Sequence, residues 1–104
     1  MAVFDFIPVI GSGNGGVNTV YAANLTAAST SGVITVGNDQ IIRIAAVNPI
    51  SIRFGTSVNV STATANDILL PGGVGLFDMG HQNNAIVIYA NSTTLVTVSI
   101  VQRN

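Results

Sequence analysis

The chain has no cysteine, no tryptophan, no lysine and no glutamate. Without cysteine there are no disulfides, no thiolate metal ligands and no thiol nucleophile, and the redox compartment leaves no mark on the composition. Without lysine, a phosphate-cradling loop of the P-loop kind lacks the side chain that reaches the phosphates. Only seven of the 104 residues are charged, Asp5, Asp39, Asp67 and Asp78 against Arg43, Arg53 and Arg103, for a net charge of −1 with His81 neutral. Three scattered arginines make a poor electrostatic footprint, which argues against nucleic acid as a partner. No apolar run reaches the about eighteen residues of a membrane helix, and no basic amphipathic stretch marks a helix lying on a bilayer. A soluble protein without a membrane partner is expected. The opening residues Met1 to Pro8 have no basic region and are interrupted by Asp5 and Pro8, so no cleaved leader is predicted.

What is present is apolar and polar-neutral: 48% of residues are hydrophobic, and Ser, Thr, Asn and Gly fill most of the rest. Soluble domains usually carry about a quarter charged residues and lean on them for solubility. Here that task falls to a Ser/Thr/Asn cover, or much of the surface is buried permanently against other subunits.

The recurring period is two. Residues 50–54 (Ile-Ser-Ile-Arg-Phe) and 96–100 (Val-Thr-Val-Ser-Ile) alternate cleanly, and Val58-Asn59-Val60 does so briefly, the pattern of strands with one covered face. The richer runs 40–47 and 85–89 predict strands covered on both faces or lying centrally in a sheet. Gly37-Asn38-Asp39, Asn48-Pro49, Gly55-Thr56-Ser57, Pro71-Gly72-Gly73, Asn83-Asn84 and Asn91-Ser92-Thr93 divide these runs with turn chemistry. Proline cannot donate to a ladder, so Asn48-Pro49 is expected at a corner or bulge where the chain changes sheet. The prediction is an all-β chain: a single β-sandwich or jelly-roll-like domain of seven to eight short antiparallel strands over residues 17–104. Residues 19–31 are ambiguous between strand, helix and loop, with a slight preference for strand at 17–21. Residues 1–16 read as an extended N-terminal arm with a Gly-rich hinge at 11–16. Its Phe4, Phe6, Ile7, Val9 and Ile10 are too apolar to stay in water, so the arm is expected to dock.

No motif carries chemistry through. Residues 11–16 match G-x-G-x-x-G, but the β-like Val17-Asn18-Thr19-Val20 follows where a dinucleotide site needs a helix. His81, the single histidine, has Asp78 three residues before it, yet no Gly-x-Ser-x-Gly elbow accompanies them, and Met79 to Asn84 reads as a polar turn. Four dispersed aspartates and one histidine give no metal-ligand spacing; Asp39 and Asp67 fit turn or strand-start caps. No catalytic residue, no cofactor and no metal are expected. Arg43 and Arg53 flank the Asn48-Pro49 break on strands, either as ordinary polar-face residues or paired with carboxylates of a neighbouring subunit.

Residues 42–45 (Ile-Arg-Ile-Ala), 50–57 (Ile-Ser-Ile-Arg-Phe-Gly-Thr-Ser), 65–73 (Ala-Asn-Asp-Ile-Leu-Leu-Pro-Gly-Gly) and the closing strands 85–89 and 95–101 occur in an order that resembles small structural proteins of tailed-bacteriophage virions. The resemblance covers about three fifths of the chain, from residue 40 to 102; the first forty residues have no counterpart. It implies a non-enzymatic capsid decoration or cement protein, made in the host cytoplasm and bound outside a phage head. Its partners would be the major capsid protein and itself, as a homotrimer. Phe4, Phe6 and Ile7, with Arg43 and Arg53, are the interface residues expected. A neck, head-tail connector or tail-tip module shares the composition. A carbohydrate-binding module is a third reading, for which the absence of Trp and the presence of only Tyr21 and Tyr89 leave few stacking surfaces.

Overall fold

β-branched residues at alternate positions produce eight strands and no helix among the described residues: β1 (Asn18–Leu25), β2 (Ile34–Thr35), β3 (Gln40–Ala46), β4 (Ile50–Gly55), β5 (Ile68–Leu70), β6 (Gly73–Asp78), β7 (Ala85–Ala90) and β8 (Thr94–Arg103). The structure is a computed structural model and describes residues 18–103. Phe4, Phe6 and Ile7, and the arm assigned to residues 1–16, lie outside the described residues.

The strands form two four-stranded antiparallel sheets, β1-β8-β3-β6 and β2-β7-β4-β5. The chain pairs first strand with last: β1 with β8, β2 with β7, β3 with β6 and β4 with β5. Wrapping that long double ribbon brings β8 against β3 and β7 against β4. Such wrapping is the jelly roll, two Greek keys closed into a sandwich.

Register decides which residues meet between the sheets. Ile42, Ile44 and Ala46 of β3 lie beside Ile100, Val98 and Val96 of β8, and all face Ile50 and Ile52 of β4 and Ile86, Ile88 and Ala90 of β7 in one buried cluster. Each fully buried aliphatic side chain contributes about 1.5–3 kcal/mol, so this cluster dominates the stability of a domain with few charges. The alternate residues of β3, Ile41, Arg43 and Ala45, are half-buried on the outer face of the first sheet.

The chain crosses from one sheet to the other at Asn48-Pro49, between β3 and β4, as the proline requires. The corner is tied by Asn48 N–H to Thr94 Oγ1 (2.9 Å), Asn48 Nδ2 to Thr93 O (2.8 Å) and Asn91 N–H to Pro49 O (3.1 Å). A second crossing, Pro71-Gly72-Gly73, joins β5 to β6 with both glycines at positive φ, 113° and 102°. The strand expected at Val58-Asn59-Val60 is a turn instead. The N–H groups of Asn59 and Val60 both donate to Thr56 O, which closes the backbone on itself, and Val58 points to solvent. Three alternating residues are too few to outweigh the Gly55-Thr56-Ser57 turn before them. Met79, expected in a polar turn, is buried in the core cluster; its N–H donates to Gln40 O at 2.9 Å and pulls the segment inward.

Candidate interaction surface

The two outer faces of the sandwich are built differently. On the second sheet, the outward residues of β4 and β7 include Ser51 and Val87, and both are buried. The loop of residues 56–67 covers Ser51 and Arg53, while Leu69 of β5, outward by its register with Ser51, is exposed. Ala63 is buried, and Ser51 Oγ donates to Ala65 O at 3.2 Å while accepting from Asn91 Nδ2 at 3.0 Å. Arg53 Nε donates to Asp67 Oδ1 at 3.0 Å, and its Nη1 reaches Ser61 Oγ. Asp67 Oδ2 accepts the Thr64 N–H at 2.7 Å, so one carboxylate fastens both the loop's turn and the arginine beneath it. The Thr64 N–H holds the Asp67 carboxyl below its ordinary range, and the Arg53 guanidinium adds to this against the opposing pull of burial. Arg53 therefore finds its carboxylate within its own chain. Asp67 does act as a cap at a strand start.

On the first sheet Ser99 of β8, beside Arg43, is buried, but the outer face is exposed around β6 and the end of β3. Outward positions pair across β3 and β6 as Arg43 with Leu76 and Ala45 with Val74, and Val47 N–H donates to Leu95 O at the end of β3. Val47, Leu95, Val74 and Leu76 are 70%, 58%, 54% and 45% exposed. These four large aliphatics lie on one sheet face as an exposed apolar strip. Arg43 lies in it, half-buried, and among the described residues no carboxylate lies within ion-pair distance of it. Ser99 and Thr19, whose hydroxyls are 3.4 Å apart, close the strip toward β1.

Beside this face, where β6 and β5 form one open side of the sandwich, Phe54, Ile68, Phe77, Asp78 and Asn83 line a solvent-open cleft of about 410 Å³. The Phe54 and Phe77 ring centroids sit 5.5 Å apart, tilted by 36°, within the separation of interacting aromatic pairs.

His81 and Asp78 lie close in sequence, but among the described residues their side chains take different partners. Asp78 Oδ1 accepts the Gly80 N–H at 3.0 Å. His81 Nδ1 instead lies 2.8 Å from Asp39 Oδ2, with the imidazole in solvent. Asp39 sits at φ 59°, a left-handed turn position that Asp tolerates, so its place in the turn is conformational as well as electrostatic. Among the described residues, no three His, Cys, Asp or Glu side chains gather as a metal site. Of the expected interface residues, Arg43 belongs to the exposed strip, Arg53 is engaged under the 56–67 loop, and Phe4, Phe6 and Ile7 are outside the described residues. The aliphatics of the strip are not singled out by sequence, because in β6 both registers are apolar: Val74 and Leu76 on one side, Phe77 on the other. Comparison with protein-family models, with curated proteins and with solved structures finds no match to this chain.

Proposed function

We propose that this chain is a non-enzymatic structural protein of a phage virion, a decoration or cement protein that binds the outer surface of the head and stabilises it. The observation that carries the reading is the exposed strip Val47, Leu95, Val74 and Leu76 on one face of a jelly roll whose other face is partly covered by its own loop. An exposed aliphatic face in a chain with seven charges is suited to permanent burial against neighbours. Repeated symmetric packing favours such a surface, since symmetry brings identical charges together. Jelly rolls build viral capsid domains as well as lectins and cupins, so the fold is compatible with the role without assigning it. The sequence resemblance to small tailed-phage structural proteins selects among those uses. The partners in this reading are the major capsid protein and two further copies of the chain.

Quantifying the chain in purified particles by mass spectrometry tests the proposal. A head-decorating protein is present in copies on the order of hundreds, as icosahedral symmetry demands. About a dozen copies or fewer would move it to the neck or tail, where symmetry is low. Absence from the particle would contradict the reading.

A further inference from the structure

We propose that the edge of β6 left unpaired among the described residues, with the cleft beside it, receives residues 3–7 of a second copy of this chain as an added strand. The inference rests on the reading of the chain as a self-assembling structural protein, and is independent of the particle to which it attaches.

The four edge strands differ in how well they are guarded. β2 has two residues and β5 has three, followed by Pro71, and β1 is bulged between Thr19 and Tyr21. Short length, proline and bulges are the devices that stop strands from adding to an edge. Among the described residues β6, six residues long, pairs only with β3, and it carries neither proline nor lysine; its one charge, Asp78, is at the end. Its inward positions are also under-filled. Gly73 and Gly75 present no side chain, and the Phe77 ring folds over Gly75, where a Cβ would come within 2.9 Å of it. Opposite, Ile68 of β5 is more than half exposed although it is set toward the sandwich interior by its register with Ile52. A strand added to β6 extends the first sheet by one, and its inward side chains would hang over the cleft between Phe77 and Ile68.

Residues 3–10 of the same sequence supply a matching occupant. Phe4 and Phe6 are two apart and fall on one side of an extended strand, where they would meet Phe54, Ile68 and Phe77. Pro8 ends the pairing, leaving the five residues 3–7 for a six-residue edge. The described chain begins at Asn18 on β1, the opposite edge of the sheet from β6, three strand spacings or about 14 Å away. Residues 8–17 can span up to about 33 Å when extended. An arm that leaves one edge and a receptor on the other make a head-to-tail contact, the kind that closes into a ring such as a trimer. The recognition is strand addition, with main-chain hydrogen bonds for affinity and the cleft for specificity.

The absence of cysteine makes the test clean. Phe6→Cys and Ile68→Cys single variants of the full chain are mixed and mildly oxidised, with Phe6→Cys plus Val58→Cys as the reference pair, Val58 being exposed on the turn after β4. The expected result is a disulfide between the two introduced thiols, joining position 6 of one chain to position 68 of another in clear excess over the reference. An equal yield overturns the proposal. So does a Phe6→Cys/Ile68→Cys double variant that links only within one chain, because the arm then docks on its own β6. Independently, Ile68→Asp in the full chain is expected to weaken self-association by about tenfold or more with an unchanged circular dichroism spectrum. Undiminished self-association of that variant would also overturn it.

Discussion

The outer faces of the two sheets start from similar strands and end in opposite states. β4 and β7 carry Ser51, Arg53 and Val87 outward, and residues 56–67 fold back over Ser51 and Arg53, fastened through Asp67 and Ala65. β3, β6 and β8 carry Val47, Val74, Leu76 and Leu95 outward, and in the described structure these stay in contact with water. The closed face spends its few charges internally, on Arg53 and Asp67. The open face keeps its aliphatics and a half-buried arginine, Arg43, that has no carboxylate within ion-pair distance among the described residues. One face is covered in part by the chain's own loop, and the other leaves Val47, Val74, Leu76 and Leu95 exposed; in the proposed reading a neighbour lies on it.

A carboxylate placed on each face should separate them most sharply. Val87→Asp buries a charge beneath the loop and is expected to cost about 3 kcal/mol or more, seen as a fall in Tm of more than about 10 °C. A Tm within a few degrees of the parent would mean that the loop does not seal the face. Leu76→Asp, on the open face, is expected to shift folding stability by no more than about 0.5 kcal/mol while abolishing assembly. Sedimentation and thermal melting on one preparation test both halves, and an intact assembly would remove the strip from the interface. Asp67→Asn leaves the side chain's size but removes the charge that holds Arg53. Hydrogen exchange at Thr64 should then quicken several-fold, with the amides of β3 and β8 unaffected.

Acid produces the mildest form of that loosening without a substitution. The folded value of Asp67 is lowered below that of the unfolded chain, about 3.9, so its ionised form stabilises the loop at neutral pH. That contribution is fully present above the unfolded value and fades as pH falls through the folded one. NMR of the Thr64 amide from about pH 5 to below about 3 should report loop release before the core resonances change. A Thr64 signal unaltered across that range would contradict the role given to Asp67.

Much of the sandwich was legible because its strands obey one rule. Residues 50–54 and 96–100 alternate, so the side chains that become core are named by the period itself. Asn48-Pro49 predicted the change of sheet from the chemistry of proline alone. The open face was hidden for a related reason: in β6 the apolar residues occupy both registers, and only pairing of Ala45 with Val74 and Arg43 with Leu76 settles which side faces out. The partner of Arg53 was hidden by distance, because Asp67 lies fourteen residues away across a loop with no periodicity. Sequence proximity points His81 to Asp78, whereas the fold sets it against Asp39, which sits at positive φ in its turn. Alternation is local and can be read; loop closure and register are long-range and become visible only in the folded chain.

The central claim is that the open face is buried in the assembled protein, and hydroxyl-radical footprinting addresses it most directly. Leu76 and Leu95 should be strongly oxidised in the dissociated chain and protected in the assembled form, while Val58, on the turn at the end of the closed face, is modified equally in both. Equal labelling of Leu76 and Leu95 in the two states would contradict the claim.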